Sequence, residues 1–169
     1  MLFTAYFSPA PSKSLGSTFT GKRVLLALCM VPARILETCL YASDLKAAKG
    51  FYRDILGLEL VAEQKGRHAF FRCGDSMLLL FNPKATRTES GTEEIEAPTH
   101  GAEGEGHAAF AVEPEEIENW RAHLEDHGIE IEREIHWPNG AHSLYFRDSA
   151  QNSLELATPS LWFGASAAG

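Results

Sequence analysis

Three residues with metal-ligating side chains stand in short apolar segments of the chain: Glu37, His107 and Glu155. Glu155 lies between two leucines in NSLELATP, residues 152–159. Successive side chains of a strand point to opposite faces, so the apolar neighbours would pack a core while these three point away from it. Burying two carboxylates and an imidazole together is costly unless a cation pairs with them. The pattern predicts a divalent metal site; the alternative is that each residue lies on a solvated strand face.

Two carboxylates and one imidazole would leave a divalent ion nearly neutral. Oxygen-rich ligation favours Mn²⁺, Mg²⁺ or Fe²⁺, and Zn²⁺ and Ni²⁺ stay open as alternatives. Three protein ligands leave coordination positions for water or for a substrate with neighbouring oxygens. The chemistry indicated is Lewis-acid stabilisation of an enolate or alkoxide, or the holding of O₂ beside a catecholate.

The elements that would position these residues occur twice along the chain. Strand patterns cover 35–42, 58–64, 67–73 and 76–82, and again 106–112, 129–135, 142–148 and 152–158. One amphipathic helix follows the first strand of each half, at 43–57 and 113–128. Local matches such as LGLEL with HGIEI support an internal repeat. We therefore predict an α+β fold of two βαβββ modules.

This organisation divides the chain into five parts. Residues 1–34 contain no Asp or Glu and are predicted to be a disordered or targeting extension. The modules cover 35–82 and 106–159, an acidic linker loop covers 83–105, and a tail covers 160–169. The face of each sheet opposite its helix, here called the cup face, would be bare in an isolated module. It is expected to pair with the other module or with another chain.

The composition of the chain narrows the expected classes of binding partner and the expected cellular compartment. A net charge of −8 argues against nucleic acid or an acidic membrane as a partner, since phosphate contacts need a basic surface. The apolar run VLLALCMV is too short to span a bilayer. Three cysteines without paired zinc spacing favour reduced thiols and a cytoplasmic location.

The stretches LYASDLKAAKGFYRDILGLEL (40–60) and YFRD…N…ELATP (145–159) resemble the vicinal oxygen chelate superfamily. That superfamily includes glyoxalase I, fosfomycin- and bleomycin-resistance proteins and extradiol dioxygenases. The resemblance implies a cup-shaped mixed sheet with helices outside, a divalent metal on its floor and a homodimer. The four ligand positions correspond to Glu37, where the family often has His, Leu79, which cannot bind metal, His107 and Glu155.

A second resemblance is to the extradiol dioxygenase signature. The spacing of that signature is present in this chain, at His136, Leu144, Tyr145, Asp148 and Glu155. The Pro and Gly expected after the Asp are replaced by Ser149 and Gln151. The match implies that Tyr145 orients a substrate oxygen and that His136 acts as acid or base. The alternative is that Tyr145 is an ordinary strand aromatic and His136 a loop residue.

Two functions from different classes fit this sequence. The first is a metal-dependent lyase, isomerase or dioxygenase acting on a small oxygenated substrate, with His68, Arg72 or Arg147 as contacts for an anionic group. The second is a metal-free, ligand-sequestering protein of the bleomycin-resistance type, with Met77, Leu79 and Phe81 as its apolar wall. Metal content separates them. The spacings of His100, His123, His127 and His142 predict no role.

Overall fold

The structure, a computed structural model, describes residues 31–88 and 97–164. Almost all of the predicted extension and the middle of the predicted linker lie outside these residues. Within the described ranges, no helix is long and apolar enough to cross a bilayer.

The first module begins with strand β1 (Glu37–Tyr41) and helix α1 (Leu45–Gly50), which continues into a π-helical turn, Phe51–Ile55. Asp44 starts the helix, since its carboxylate accepts the backbone N–H groups of Lys46 and Ala47 at 3.0 Å each. Gly57, at φ 67°, reverses the chain after it. Three strands follow: β2 (Glu59–Gln64), β3 (His68–Cys73) and β4 (Ser76–Phe81). They form a sheet in the order β1-β4-β3-β2, with β1 parallel to β4.

A short helix, α2 (Pro83–Thr86), follows β4. The second module then repeats the first: β5 (His107–Ala111), a 3₁₀ turn (Pro114–Glu116), α3 (Ile117–Asp126), β6 (Ile131–His136), β7 (His142–Arg147) and β8 (Ser153–Ala157). Its sheet order, β5-β8-β7-β6, corresponds strand for strand to that of the first sheet. The prediction of two βαβββ modules is confirmed.

Two boundary segments carry more structure than the sequence pattern indicated. The predicted linker begins with α2, because Asn82 caps it through bonds to the N–H groups of Lys84 and Ala85 and Pro83 suits its first position. The predicted tail begins with a helical turn, α4 (Ser160–Phe163). Neither segment had a periodicity long enough to show in the sequence.

The two modules share one core, built from the helix-facing sides of both sheets. Phe51 of the first module stacks on Phe146 of β7, with ring centroids 6.4 Å apart. His123 of α3 donates from Nε2 to the carbonyl of Ile55, at 2.8 Å. The sheets themselves are separate four-stranded sheets. Since the helix-bearing sides meet inside the chain, the cup faces of both sheets point away from this core.

Asp148 links the modules through buried hydrogen bonds. It is 2 % exposed, and its Oδ2 accepts the hydroxyl of Tyr52 at 2.7 Å and the side-chain amide of Asn152 at 2.8 Å. Its Oδ1 accepts the backbone N–H groups of Ala150 and Asn152. Burial, helped by the Asp148 carboxylate, raises the pKa of Tyr52 far above its usual range, so the phenol remains a donor. The Asp148 of the signature therefore has a structural role here.

We expect Asp148→Ala to lower the free energy of unfolding by about 3–5 kcal/mol, because it leaves several buried donors without an acceptor. Tyr52→Phe removes one bond to a charged acceptor and should cost about 1.5–3 kcal/mol. Urea unfolding measures both. Asp126→Ala, at the exposed end of α3, is the control and should change little. An Asp148→Ala protein within 1 kcal/mol of wild type (roughly the value of one hydrogen bond) would contradict this account.

Candidate metal and substrate site

His107 and Glu155 meet on the cup face of the second sheet. They lie on the neighbouring parallel strands β5 and β8, where His107 pairs with Ser153 and Glu155 comes two residues later. The Nε2 of His107 lies 3.5 Å from Oε2 of Glu155. The Nδ1 of His107 lies 3.0 Å from the carbonyl oxygen of Ser153. A carbonyl can only accept, so Nδ1 carries the proton, and in the neutral ring the lone pair of Nε2 faces the carboxylate. A cation between the two groups, or a proton on Nε2, would pair the imidazole with the carboxylate.

The burial of Glu155 makes such pairing important. Glu155 is 4 % exposed, and its Oε1 is buried with no hydrogen-bond partner among the described residues. A buried carboxylate oxygen without a partner carries its full desolvation penalty. A divalent ion bound by Glu155 and His107 would remove that penalty, so the donor set fits a metal.

Tyr145 lies directly opposite Glu155 on β7 and shares its face. Its ring stacks near that of His107, with centroids 6.4 Å apart. Burial first, and then the neighbouring Glu155 carboxylate, raise the pKa of Tyr145 to about 12. At neutral pH Tyr145 is therefore a protonated phenol that can donate a hydrogen bond. The structure brings Tyr145 together with two of the three predicted ligands.

His136 is placed on the opposite face of the sheet from Tyr145. A bulge between Ile131 and Arg133 shifts the register of β6 against β7 by one residue. Arg133 consequently pairs with Tyr145, whereas His136 pairs with His142. Residues opposite each other share a face, so His136 lies on the helix side, where Leu144 and Phe146 enter the core. His136 therefore does not share the sheet face of Tyr145 and Glu155 in this structure.

Glu37 is exposed at the start of β1, in the first sheet. Within the described part of the chain, it belongs to no group of three metal-ligating residues with ligand atoms mutually within 4.8 Å. The expected convergence of all three ligands thus does not occur inside one chain. Leu79, at the fourth ligand position, is a buried apolar residue of β4.

The cup face of the first sheet carries an aromatic cluster of five residues. Four come from its strands and one from the segment before β5: Tyr41, His68, Phe70, Phe81 and His100. Tyr41 Oη and His100 Nδ1 are 2.8 Å apart, and His68 stacks on Phe70 with centroids 4.1 Å apart. Burial, with the charge of Arg67, lowers the pKa of His68. His68 is therefore a neutral part of an aromatic wall at pH 7. No spacing in the sequence indicated a role for His100, because only the tertiary fold brings it to this sheet.

The arginines considered as anion contacts already have partners. Arg147 binds Glu132 through Nε at 3.0 Å and Glu105 through Nη1 at 2.7 Å, and the Nε of Arg72 lies 3.2 Å from Glu59. An anionic substrate group would have to compete with these carboxylates.

The family model described as Glyoxalase/Bleomycin resistance protein/Dioxygenase superfamily matches residues 34–156. The chain belongs to this superfamily. The match includes the first module, the second module as far as Leu156 of β8, and all the predicted site residues from Glu37 to Glu155.

Solved structures of this superfamily share the fold. A lactoylglutathione lyase from Agrobacterium tumefaciens is 44% identical, with a TM-score of 0.73 over 78% of this chain and 98% of that chain. A glyoxalase/bleomycin resistance protein/dioxygenase from Nocardioides is 25% identical, with a TM-score of 0.60 over 78% of this chain and 86% of its own. A fosfomycin resistance protein from Listeria monocytogenes, solved with Mn(II), is 18% identical over 75% of this chain and 90% of its own. Its TM-score of 0.55 shows a common fold alone.

Proposed function

We propose that this protein is a divalent-metal-dependent enzyme of the glyoxalase type, acting as a lyase or isomerase on a small oxygenated substrate. The observation that carries this proposal is the buried Glu155 carboxylate. Its Oε1 has no hydrogen-bond partner among the described residues, and its Oε2 lies 3.5 Å from the Nε2 of His107. Pairing of these two groups with a cation would explain why the fold tolerates a buried carboxylate at this position.

In this proposal the metal is held by His107 and Glu155 of one copy and by Glu37 of a second copy. Glu37 lies on the cup face of the first sheet, whereas His107 and Glu155 lie on that of the second, and both faces point away from the shared core. A homodimer that places the first sheet of one copy against the second sheet of the other would bring the three together and close a cup. When bound, the ion would supply Lewis-acid polarisation of substrate oxygens.

The chain's own residues would orient the substrate and move its proton. The hydroxyl of Tyr145, with its pKa raised to about 12, would donate a hydrogen bond to a substrate oxygen. The Glu155 carboxylate would hold the ion through one oxygen and would accept a proton on the other. The aromatic wall of the first sheet would exclude water from the apolar part of the substrate.

The substrate class we propose is a thiol adduct of an aldehyde. The similarity to a lactoylglutathione lyase supports this choice over a catechol, and the aromatic wall suits a partly apolar adduct. Leu79 sets this chain apart from the family's glyoxalase I pattern, which has a carboxylate at that position. The site therefore has three protein ligands in place of four and one more position open to water or substrate.

The test combines metal analysis with an activity screen. After reconstitution, the purified protein should contain about one Mn²⁺, Fe²⁺, Ni²⁺ or Zn²⁺ ion per cup site, since the three ligands would bind a single ion. It should then turn over the glutathione adduct of methylglyoxal, followed by absorbance, and lose that activity with a chelator. Turnover of catechols in place of adducts would reassign the reaction to a dioxygenase. Protein that binds no ion at the cup and turns over neither substrate would contradict the proposal.

A metal-free, ligand-sequestering function is the second candidate. It is favoured by the apolar residues Met77, Leu79 and Phe81, which line one face of β4 beside the aromatic wall. Tight binding of an apolar ligand that is unaffected by chelators would support this function instead.

A further inference from the structure

A second cluster of metal-ligating side chains lies away from the cup, on the helix side of the second sheet. It consists of Glu134, His136 and His142, each of which offers one ligand atom, with all three atoms within 4.8 Å of one another. Glu134 and His136 lie two residues apart on β6, and His142 begins β7 directly opposite His136. The hairpin connecting the two strands thus brings two imidazoles and a carboxylate to one end of the sheet.

His136 and His142 form a non-hydrogen-bonded pair, the type of antiparallel pair in which the side chains lie closer together. The N–H and C=O of His142 bond to Thr158, on the β8 side, so they do not bond to His136. Residues in such a non-hydrogen-bonded pair have side chains closer together than those in a hydrogen-bonded pair. The imidazole centroids of His136 and His142 are accordingly 4.0 Å apart.

Both imidazoles present the same atom to the same carboxylate oxygen. The Nε2 of His142 lies 2.6 Å from Oε1 of Glu134, and the Nε2 of His136 lies 3.5 Å from that oxygen. Ligands bound to one tetrahedral ion at about 2.0–2.1 Å are separated by roughly 3.3 Å. An ion would replace the proton through which the Nε2 of His142 bonds to Oε1, releasing it to solvent, and shifts of less than about an ångström would make room for the ion.

Arg121 of α3 fixes the carboxylate. Its guanidinium binds both oxygens of Glu134, with Nη1 at 2.6 Å from Oε2 and Nη2 on Oε1. A carboxylate that is held by a neighbouring donor is oriented for a metal, since each oxygen has more than one lone pair. The cluster is accessible to solvent. The side chain of His136 is 76 % exposed and that of His142 is 17 % exposed, so an ion could enter from solvent and keep water ligands.

We propose that Glu134, His136 and His142 form a second metal site, which takes a divalent transition ion of the Zn²⁺ or Ni²⁺ class. Two imidazoles and one carboxylate match the nitrogen and oxygen preference of these ions and not that of Mg²⁺ or Ca²⁺. The ion would join both strands of the hairpin to each other and, through Arg121, to α3. The site faces the helix layer and is distinct from the cup site of His107 and Glu155.

The test is calorimetric titration with Zn²⁺ and with Ni²⁺ in the Glu155→Ala protein, which removes the candidate cup site. We expect one ion per chain, and we expect His136→Ala in that background to weaken binding at least roughly tenfold, since even groups behind a ligand cost 10–100-fold. Mg²⁺ should not bind in either protein. Because His136 is exposed, its replacement should leave the fold intact, which circular dichroism checks.

His127→Ala, at an exposed histidine outside the cluster, is the matched control and should bind like its parent. Zn²⁺ should also raise the melting temperature of the Glu155→Ala protein, and His136→Ala should abolish that rise. Failure of the Glu155→Ala protein to bind either ion would overturn the proposal. So would a His136→Ala protein with unchanged affinity and unchanged melting shift.

Discussion

Glu155→Ala is expected to lower the affinity of the cup site for divalent ions at least about 100-fold and to abolish turnover. The substitution removes a ligand and a charge together, and mutations of mere supporting groups already cost 10–100-fold. Calorimetric titration with Mn²⁺, Ni²⁺ and Zn²⁺ measures the loss. It is best done in the His136→Ala background, so that the hairpin cluster contributes no heat.

Two further variants make this result specific. Glu155→Gln keeps the shape of the side chain and removes its charge, so it should retain the fold and still lose most of the affinity. Glu130→Ala, which removes an exposed carboxylate outside the site, should bind like its parent. A Glu155→Ala protein that binds ions as tightly as its parent would show that Glu155 is not a ligand.

The second large effect concerns the sharing of the site between two copies. Chains carrying Glu37→Ala or Glu155→Ala should each form homodimers without a complete site. A heterodimer of the two, purified through two different tags, contains one cup in which Glu37 and Glu155 are both intact. With His136→Ala in both chains, so that the hairpin cluster binds no ion, we expect it to bind one ion per dimer. It should also recover about half of the activity of the dimer without the two cup substitutions, since one of two equivalent sites is restored.

The same heterodimer distinguishes a shared site from one within a single chain. If all three ligands came from one chain, each chain of the heterodimer would carry a lesion and no activity would return. A wild-type protein that is monomeric in light scattering and still binds the cup ion would equally exclude a shared site. A heterodimer of wild type with Glu155→Ala is the control, and it too should retain one site per dimer.

Much of this molecule follows from local sequence. Apolar segments that alternate with polar residues or stand between turn-prone pairs, together with the internal repeat, located all eight strands. The same alternation put Glu155 and His107 on the face opposite the helices. The two helix positions followed from amphipathic segments that end at glycines, with Ser43 or Asp44 as the candidate cap of the first helix, of which the structure uses Asp44.

Alternation in the sequence was a weaker guide to the sheet face that a residue occupies wherever a strand contains a bulge. Simple alternation from the core residue Ile131 would place His136 on the cup face with Tyr145, as the signature implied. The bulge after Ile131 reverses that alternation and turns His136 to the helix side. A bulge adds one residue to one strand only, so its effect depends on the pairing with β7 and is not visible in β6 alone.

The meeting of distant residues was decided by tertiary structure. The cluster of Glu134, His136 and His142 requires the hairpin register, and the aromatic wall requires His100 to return to the first sheet. Asp148 matched a signature by spacing, yet its four hydrogen bonds reach Tyr52 in the other module and close its own loop. Glu37 lies on a cup face, as Glu155 does, but on that of the other sheet, because the modules pack through their helices. Strand alternation determines the direction of a side chain, whereas only the packing of modules and copies determines which side chains it meets.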